Sequence, residues 1–252
     1  MKARTILWAA AAIALAACNK GGTPNNTSAT GGGTASVPVR PVQPPANGDW
    51  TTVTSETTAG GFMMGNPNAK VHLIEFGSLT CPHCKAFDDE GVPSLMANYV
   101  KNGQVSWEFR NYVRDPFDLA ASLIARCNGA QSFFPVMRAL YKDQMNWVGK
   151  VQTVPQDQLE QLQNLPPNQI AVQSGKFAGL QDWASLRGLA PAKSNQCLGN
   201  SDTVNKLVEI TGNVTNDYPD FKGTPGFVIN GKLLDETATW AALEPKLKEA
   251  LR

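Results

Sequence analysis

The sequence predicts an α/β fold interrupted by an all-helical insertion, and three observations lead to it. A buried-strand pattern, a helix start and a second strand follow one another between residues 71 and 113. Residues 115–220 then show helical spacing without a clear strand. From residue 221 the chain returns to a strand, a tight turn, a second strand and a closing helix.

The 252 residues are 42% hydrophobic and 17% charged, enough for a sizeable core in one large domain. A formal net charge of +1 removes the basic excess that a nucleic-acid partner would require. At the N-terminus, Lys2 and Arg4 precede an apolar run from Ile6 to Ala17. That run matches a signal h-region and falls short of the roughly 20 residues of a membrane-spanning helix. Residues 1–17 are therefore expected to direct export across a bacterial inner membrane. Leu15-Ala16-Ala17-Cys18 resembles the lipobox of bacterial lipoproteins, which implies lipidation of Cys18 and anchoring on the periplasmic side. Cleavage of an ordinary signal peptide at Ala14-Leu15-Ala16 stays open. Residues 18–48 are dominated by Gly, Thr, Asn and Pro and contain almost nothing that builds a core, so they read as a disordered tether. Folded structure is expected from near Trp50, with the first part of the fold at 49–114.

Val71 to Phe76 is a short apolar run with β-branched residues, broken by Gly77 and Ser78, and reads as a buried strand. Then comes Cys81-Pro82-His83-Cys84. Phe87, Val92, Leu95 and Tyr99 recur at near-helical spacing, so a helix is expected from about Cys81, kinked near Pro93 and ended by Asn102-Gly103. Pro82 fits the first turn, where its missing N–H costs nothing. The segment QVSWEFRNYV gives the second strand, parallel to the first.

This placement has chemical consequences. A cysteine at a helix N-terminus faces unsatisfied N–H groups and the positive end of the helix dipole, which favour its thiolate; known cases fall at about 3.5 to 7.5. His83, protonated or donating a hydrogen bond, would stabilise the same anion. A favoured thiolate stabilises the reduced pair and makes the disulfide a strong oxidant. Cys81 is thus expected to be an exposed nucleophile, and Cys84, one turn further in, the resolving thiol.

Five cysteines are an odd count for an exported chain, and lipidation of Cys18 would leave four. The natural partition joins Cys81 to Cys84 and Cys127 to Cys197, although sequence alone leaves other pairings open. Within the insertion, Asp115-Pro116 and Pro166-Pro167 read as helix starts, Gly129 and Gly188 as stops. Cys127 ends the first of these helices and Cys197 falls in a short connecting segment. A structural disulfide is the favoured reading, with a second redox pair as the alternative. Phe133, Phe134, Met137, Leu140 and Trp147 are read as core in preference to a peptide groove. Met63 and Met64 raise the question of copper but fall in a strand, and His72 reads as an ordinary strand histidine.

EFGSLTCPHC, with the lead-in MMGNPNAKVHLI, resembles the active-site strand and helix of the DsbA-like branch of the thioredoxin superfamily. The remote KGTPGFVINGKLL resembles that family's proline loop and hairpin. The resemblance covers about residues 60–114 and 221–252. It implies a thioredoxin fold with the inserted helical subdomain at 115–220 and a second part at 221–252. It also implies that Glu75 is a buried acid exchanging protons with the inner cysteine; a strand-end glutamate reaching solvent is the alternative. Thr224-Pro225 would be the cis-proline pair that presents backbone to a substrate segment.

The function implied is an exported thiol:disulfide oxidoreductase that introduces disulfides into reduced or unfolded exported proteins through Cys81. A membrane oxidase of the DsbB or VKOR type would regenerate it. The expected agent is the dithiol itself, without cofactor or metal, acting as a monomer. Thr224 before the proline also suits a reductase or isomerase kept reduced by a membrane electron donor. From a different class, Cys81, His83 and Cys84 could serve as soft copper ligands, but structural zinc usually takes four and no further pair completes a sphere.

Overall fold

The apolar, β-branched runs recognised in the sequence become the middle of a single sheet. A computed structural model describes residues 43–252; the signal segment at 1–17, Cys18 and the tether to residue 42 lie outside the described residues. The chain forms β1 (Thr54–Glu56), β2 (Phe62–Met64), β3 (Val71–Gly77), α1 (Pro82–Glu90), α2 (Val92–Leu95) and β4 (Val105–Asn111). The sheet order is β1-β2-β4-β3, continued by β5 (Gly226–Ile229) and β6 (Lys232–Leu233). β3 runs parallel to β4, with Leu73 opposite Trp107, and antiparallel to β5, with Glu75 opposite Phe227. Flanked on both sides, β3 carries the active-site turn out of the best-buried part of the sheet. Its last residue, Gly77, leaves no room for a side chain, since a Cβ there would stand 2.4 Å from the Phe109 ring.

The sequence reading placed the helix break near Pro93; it occurs at Gly91. The Gly91 N–H closes onto the Phe87 carbonyl at 2.8 Å, and Pro93 enters the first turn of α2, where it sacrifices no hydrogen bond. Another addition is β1, which pairs with β2 as a hairpin on the edge of the sheet.

The insertion comprises α3 (Pro116–Arg126), α4 (Ala130–Lys142), α5 (Gln144–Val151), α6 (Gln156–Leu162), α7 (Pro167–Phe177), α8 (Leu180–Ser185), α9 (Pro191–Leu198) and α10 (Ser201–Asp217). Phe133, Phe134, Met137, Leu140 and Trp147 are all at most 1% exposed, so the aromatic stripe is core and not a groove. Phe133 stacks on Phe62 of β2 with ring centroids 4.3 Å apart, and Phe134 lies 4.9 Å from Trp107 of β4. Burying each such ring is worth about 1.5–3 kcal/mol, so α4 is fastened to the sheet face. Cys127, capping α3, is bonded to Cys197 across a separation of 70 residues. Cys197 sits inside α9 and not in a connecting segment, because Pro191 starts a helix there.

After the insertion, Asn230 and Gly231 take positive φ angles of 48° and 84°, the conformation a two-residue hairpin turn needs. The chain closes with α11 (Trp240–Ala250), capped by Thr239. The described residues, 43–252, form one compact unit.

Candidate active site

Cys81 is the N-cap of α1 and Pro82 its first residue. The Cys81 sulfur makes no formed cap hydrogen bond, yet it lies where several donors favour its anion. Its pKa is lowered to about 5, chiefly by hydrogen bonding from the Cys84 side chain, against burial, and further by Thr224 and the backbone N–H groups of Cys84 and His83. Cys84 is fully buried; burial, then the neighbouring Cys81, pushes its thiol well above the ordinary range. Both are free thiols in the structure. The two thiols are thus unequal, Cys81 the more readily ionised and Cys84 the less.

One sequence expectation needs correction. Cys81 is 2% exposed rather than an open nucleophile. The remote proline loop comes down beside it, with the Cys81 thiol 3.3 Å from the Thr224 carbonyl as donor to acceptor, and the Thr224–Pro225 bond is cis. His83 is exposed, and its backbone N–H is one of the groups that favour the Cys81 anion.

Beneath the pair, Glu75 is 1% exposed, which removes the solvent-facing alternative. Its carboxyl accepts a 3.0 Å hydrogen bond from Trp107 Nε1. Burial, then the nearby Asp88, raise its pKa well above the usual carboxyl range against that bond. Asp88, one turn beyond Cys84, is held by Arg138 Nε at 3.2 Å, and burial lifts it to about 6 against the arginine.

Sequence reasoning missed a further set of residues around the turn. Asp115 caps α3 and also accepts from the Thr80 hydroxyl at 2.6 Å. Asp118, fully buried, accepts from the Ser78 hydroxyl at 2.6 Å and the Leu79 N–H at 2.8 Å. Tyr141 donates to the Ser78 carbonyl, and Gln144 to the carbonyls of Leu79 and Cys81. Only Asp115 had a local signal, as the residue before Pro116. Met63 and Met64 lie in β2, and His72 pairs with Ser106 across to β4. Among the described residues, no group of three His, Cys, Asp or Glu side chains is placed to hold a metal.

The thioredoxin family model matches residues 57–249. A Rickettsia typhi protein assigned as a protein-disulfide oxidoreductase is 27% identical over 183 residues, 72% of this chain. The chain spans 58% of that relative's length. The solved protein-disulfide isomerase from Novosphingobium aromaticivorans is 33% identical with a TM-score of 0.72, covering 75% of this chain and 96% of that one. Wolbachia pipientis alpha-DsbA1, at 20% identity and a TM-score of 0.59 over 75% of this chain and 89% of its own, shares the fold.

Proposed function

The chain belongs to the thioredoxin family in its DsbA-like form, and from that premise we propose that it is an exported thiol:disulfide oxidoreductase that introduces disulfides into reduced proteins. The observation that carries this reading is the arrangement of the pair, with Cys81 at the N-cap of α1 against the cis-proline loop and Cys84 fully buried behind it. In the oxidised enzyme, a substrate thiolate attacks the Cys81 sulfur and the Cys81–Cys84 bond breaks. Cys84 departs and takes up a proton, for which the protonated Glu75 beneath is the donor. A second substrate thiolate then attacks the substrate sulfur of the mixed disulfide, and Cys81 leaves as a thiolate that the helix start stabilises. Two electrons pass to the enzyme and a disulfide to the substrate, with no cofactor required.

Thr224 and Pro225 border a pocket of about 240 Å³ that also includes Phe221, Leu234 and Asp235, a place on the far side of the proline loop for part of an extended substrate segment. Regeneration by a membrane oxidase of the DsbB or VKOR type, and attachment through a lipidated Cys18, complete the proposal. No helix among the described residues is long and apolar enough to cross a membrane. A second reading, a reductase or isomerase kept reduced by a membrane donor, is favoured by Thr224 before the cis-proline and by the likeness to the Novosphingobium protein-disulfide isomerase.

Equilibration of the Cys81–Cys84 pair with glutathione buffers separates the two. A potential near about −120 mV is expected for the oxidase, and one near about −270 mV overturns it in favour of the reductase. In cells, Cys84→Ser should accumulate mixed disulfides with exported proteins through Cys81.

A further inference from the structure

The four residues leading into the redox pair are held by the helical insertion and not by the sheet they leave. Ser78, Leu79, Thr80 and Cys81 make six hydrogen bonds to Asp115, Asp118, Tyr141 and Gln144. Gln144 is central among them. It is the first residue of α5, 2% exposed, and its single amide nitrogen donates to the Leu79 carbonyl at 2.8 Å and the Cys81 carbonyl at 3.0 Å. Both partners are acceptors, so only the nitrogen of the amide fits there. On the opposite side of Leu79, Asp118 takes its N–H. The Leu79 peptide groups are therefore gripped from both directions by two buried side chains.

This grip reaches the sulfur. Cys81 adopts φ −81° and ψ 121°, the extended geometry of an N-cap, which sets its side chain at the start of α1 without a formed cap hydrogen bond. The Cys81 carbonyl also accepts from the Lys85 N–H at 3.2 Å, so the Leu79 carbonyl is the one set loose when Gln144 is lost; its release lets the Leu79 peptide rotate and shifts the turn that carries the sulfur.

We propose that Gln144, with Asp118 opposite it, is a positioning residue of the exchange reaction, fixing the Leu79 peptide so that the Cys81 sulfur stays over the start of α1. The inference rests on the reading of Cys81 as nucleophile. The insertion then has a part in setting the strength of the oxidant, beyond covering the sheet.

The test is Gln144→Met in the full chain, which keeps the side chain's bulk and removes both donors. The reduced protein is titrated by ultraviolet thiolate absorbance, and its potential is measured in glutathione buffers. The Cys81 midpoint should rise by about one unit or more, a tenfold loss of thiolate at a given pH below it, and the potential should become more reducing. Ser122→Ala, which deletes a buried 3.0 Å bond to Asn111 away from the turn, is the control. It should lower the unfolding midpoint and leave the thiolate titration in place. Should Gln144→Met not fold, Ser78→Ala removes one arm of the Asp118 contact and must move the same midpoint in the same direction. A folded variant that titrates like the parent, or a control that shifts as far, overturns the inference. A parent chain whose Cys81 titrates near the ordinary thiol value of about 8.5 sinks the nucleophile reading as well, and that result appears before any substitution is made.

Discussion

Trp107 shows how a single side chain can matter to the chemistry and stay invisible in the sequence. Its indole N–H is spent on the buried carboxyl of Glu75, but in the parallel register it stands opposite Leu73, while Glu75 faces Phe109. The contact is a diagonal one that depends on strand register, which sequence does not give. The Cys81-Pro82-His83-Cys84 turn was legible because its meaning is local: a strand end, a helix start and two thiols one turn apart. Trp107→Phe should cost about 1–3 kcal/mol by leaving a buried acceptor unpaired, measured by urea unfolding. Because the lost bond opposes the rise in the Glu75 pKa, the variant should hold the Glu75 proton to still higher pH. The pH profile of thiol exchange would show this as a shift of its Glu75-dependent limb toward the alkaline side; an unmoved profile would remove Glu75 from the proton transfer.

Among elements, β3, α1, β4 and the hairpin of β5 and β6 were readable because each has a self-contained pattern of apolar spacing and turn residues. β1 was not, since Thr54, Ser55 and Glu56 show no buried face and become a strand through pairing with β2. The break in the first helix was misplaced for a related reason: Pro93 looks like an interruption, but a proline in a first turn does not interrupt, and Gly91 does. The disulfide between α3 and α9 belongs to this scale as well. Closing a loop across a separation of 70 residues corresponds to about 4 kcal/mol in the chain-entropy view. The paired substitution Cys127→Ser with Cys197→Ser should lower urea stability by up to that amount while leaving the Cys81–Cys84 potential where it was. A displaced potential would identify the second disulfide as part of the redox chemistry.

For the whole molecule, the acids collected around the active-site turn make stability depend on pH and on redox state. Asp118 keeps its proton to about 7 when folded, mainly through burial, against an ordinary value of 3.8. Between those values the native chain binds more protons than the unfolded one, so stability falls as pH rises, by at most about 4 kcal/mol. Asp88, lifted to about 6 by burial, acts in the same direction over a narrower window. Reduced Cys81 acts in the opposite one. The native chain gives up its proton near 5 while the unfolded chain holds it to about 9, so stability of the reduced form rises with pH through that window. Urea unfolding of both forms from about pH 4 to about pH 8 should show the oxidised protein weakening toward neutrality. The advantage of the reduced form should widen from about pH 5 upward. A gap independent of pH would contradict the assignment of a stabilised thiolate. None of these acids except Glu75 was picked out from sequence, because burial at 75 follows from a strand, burial at 88 from α4, whose Arg138 meets α1, and burial at 118 from α3 closing on the turn at 78–79.

The bonds that run from α3, α4 and α5 to residues 78–81 also limit how this protein can be recombined. Transplanting its Cys-Pro-His-Cys turn into a bare thioredoxin frame would carry over the letters without the carbonyl and amide partners that shape them. Exchanging the helical block for that of a distant homologue would meet the same obstacle from the other side. Motif and insertion are therefore one unit of inheritance, and a chimera that keeps both working must draw its seams outside residues 78–144.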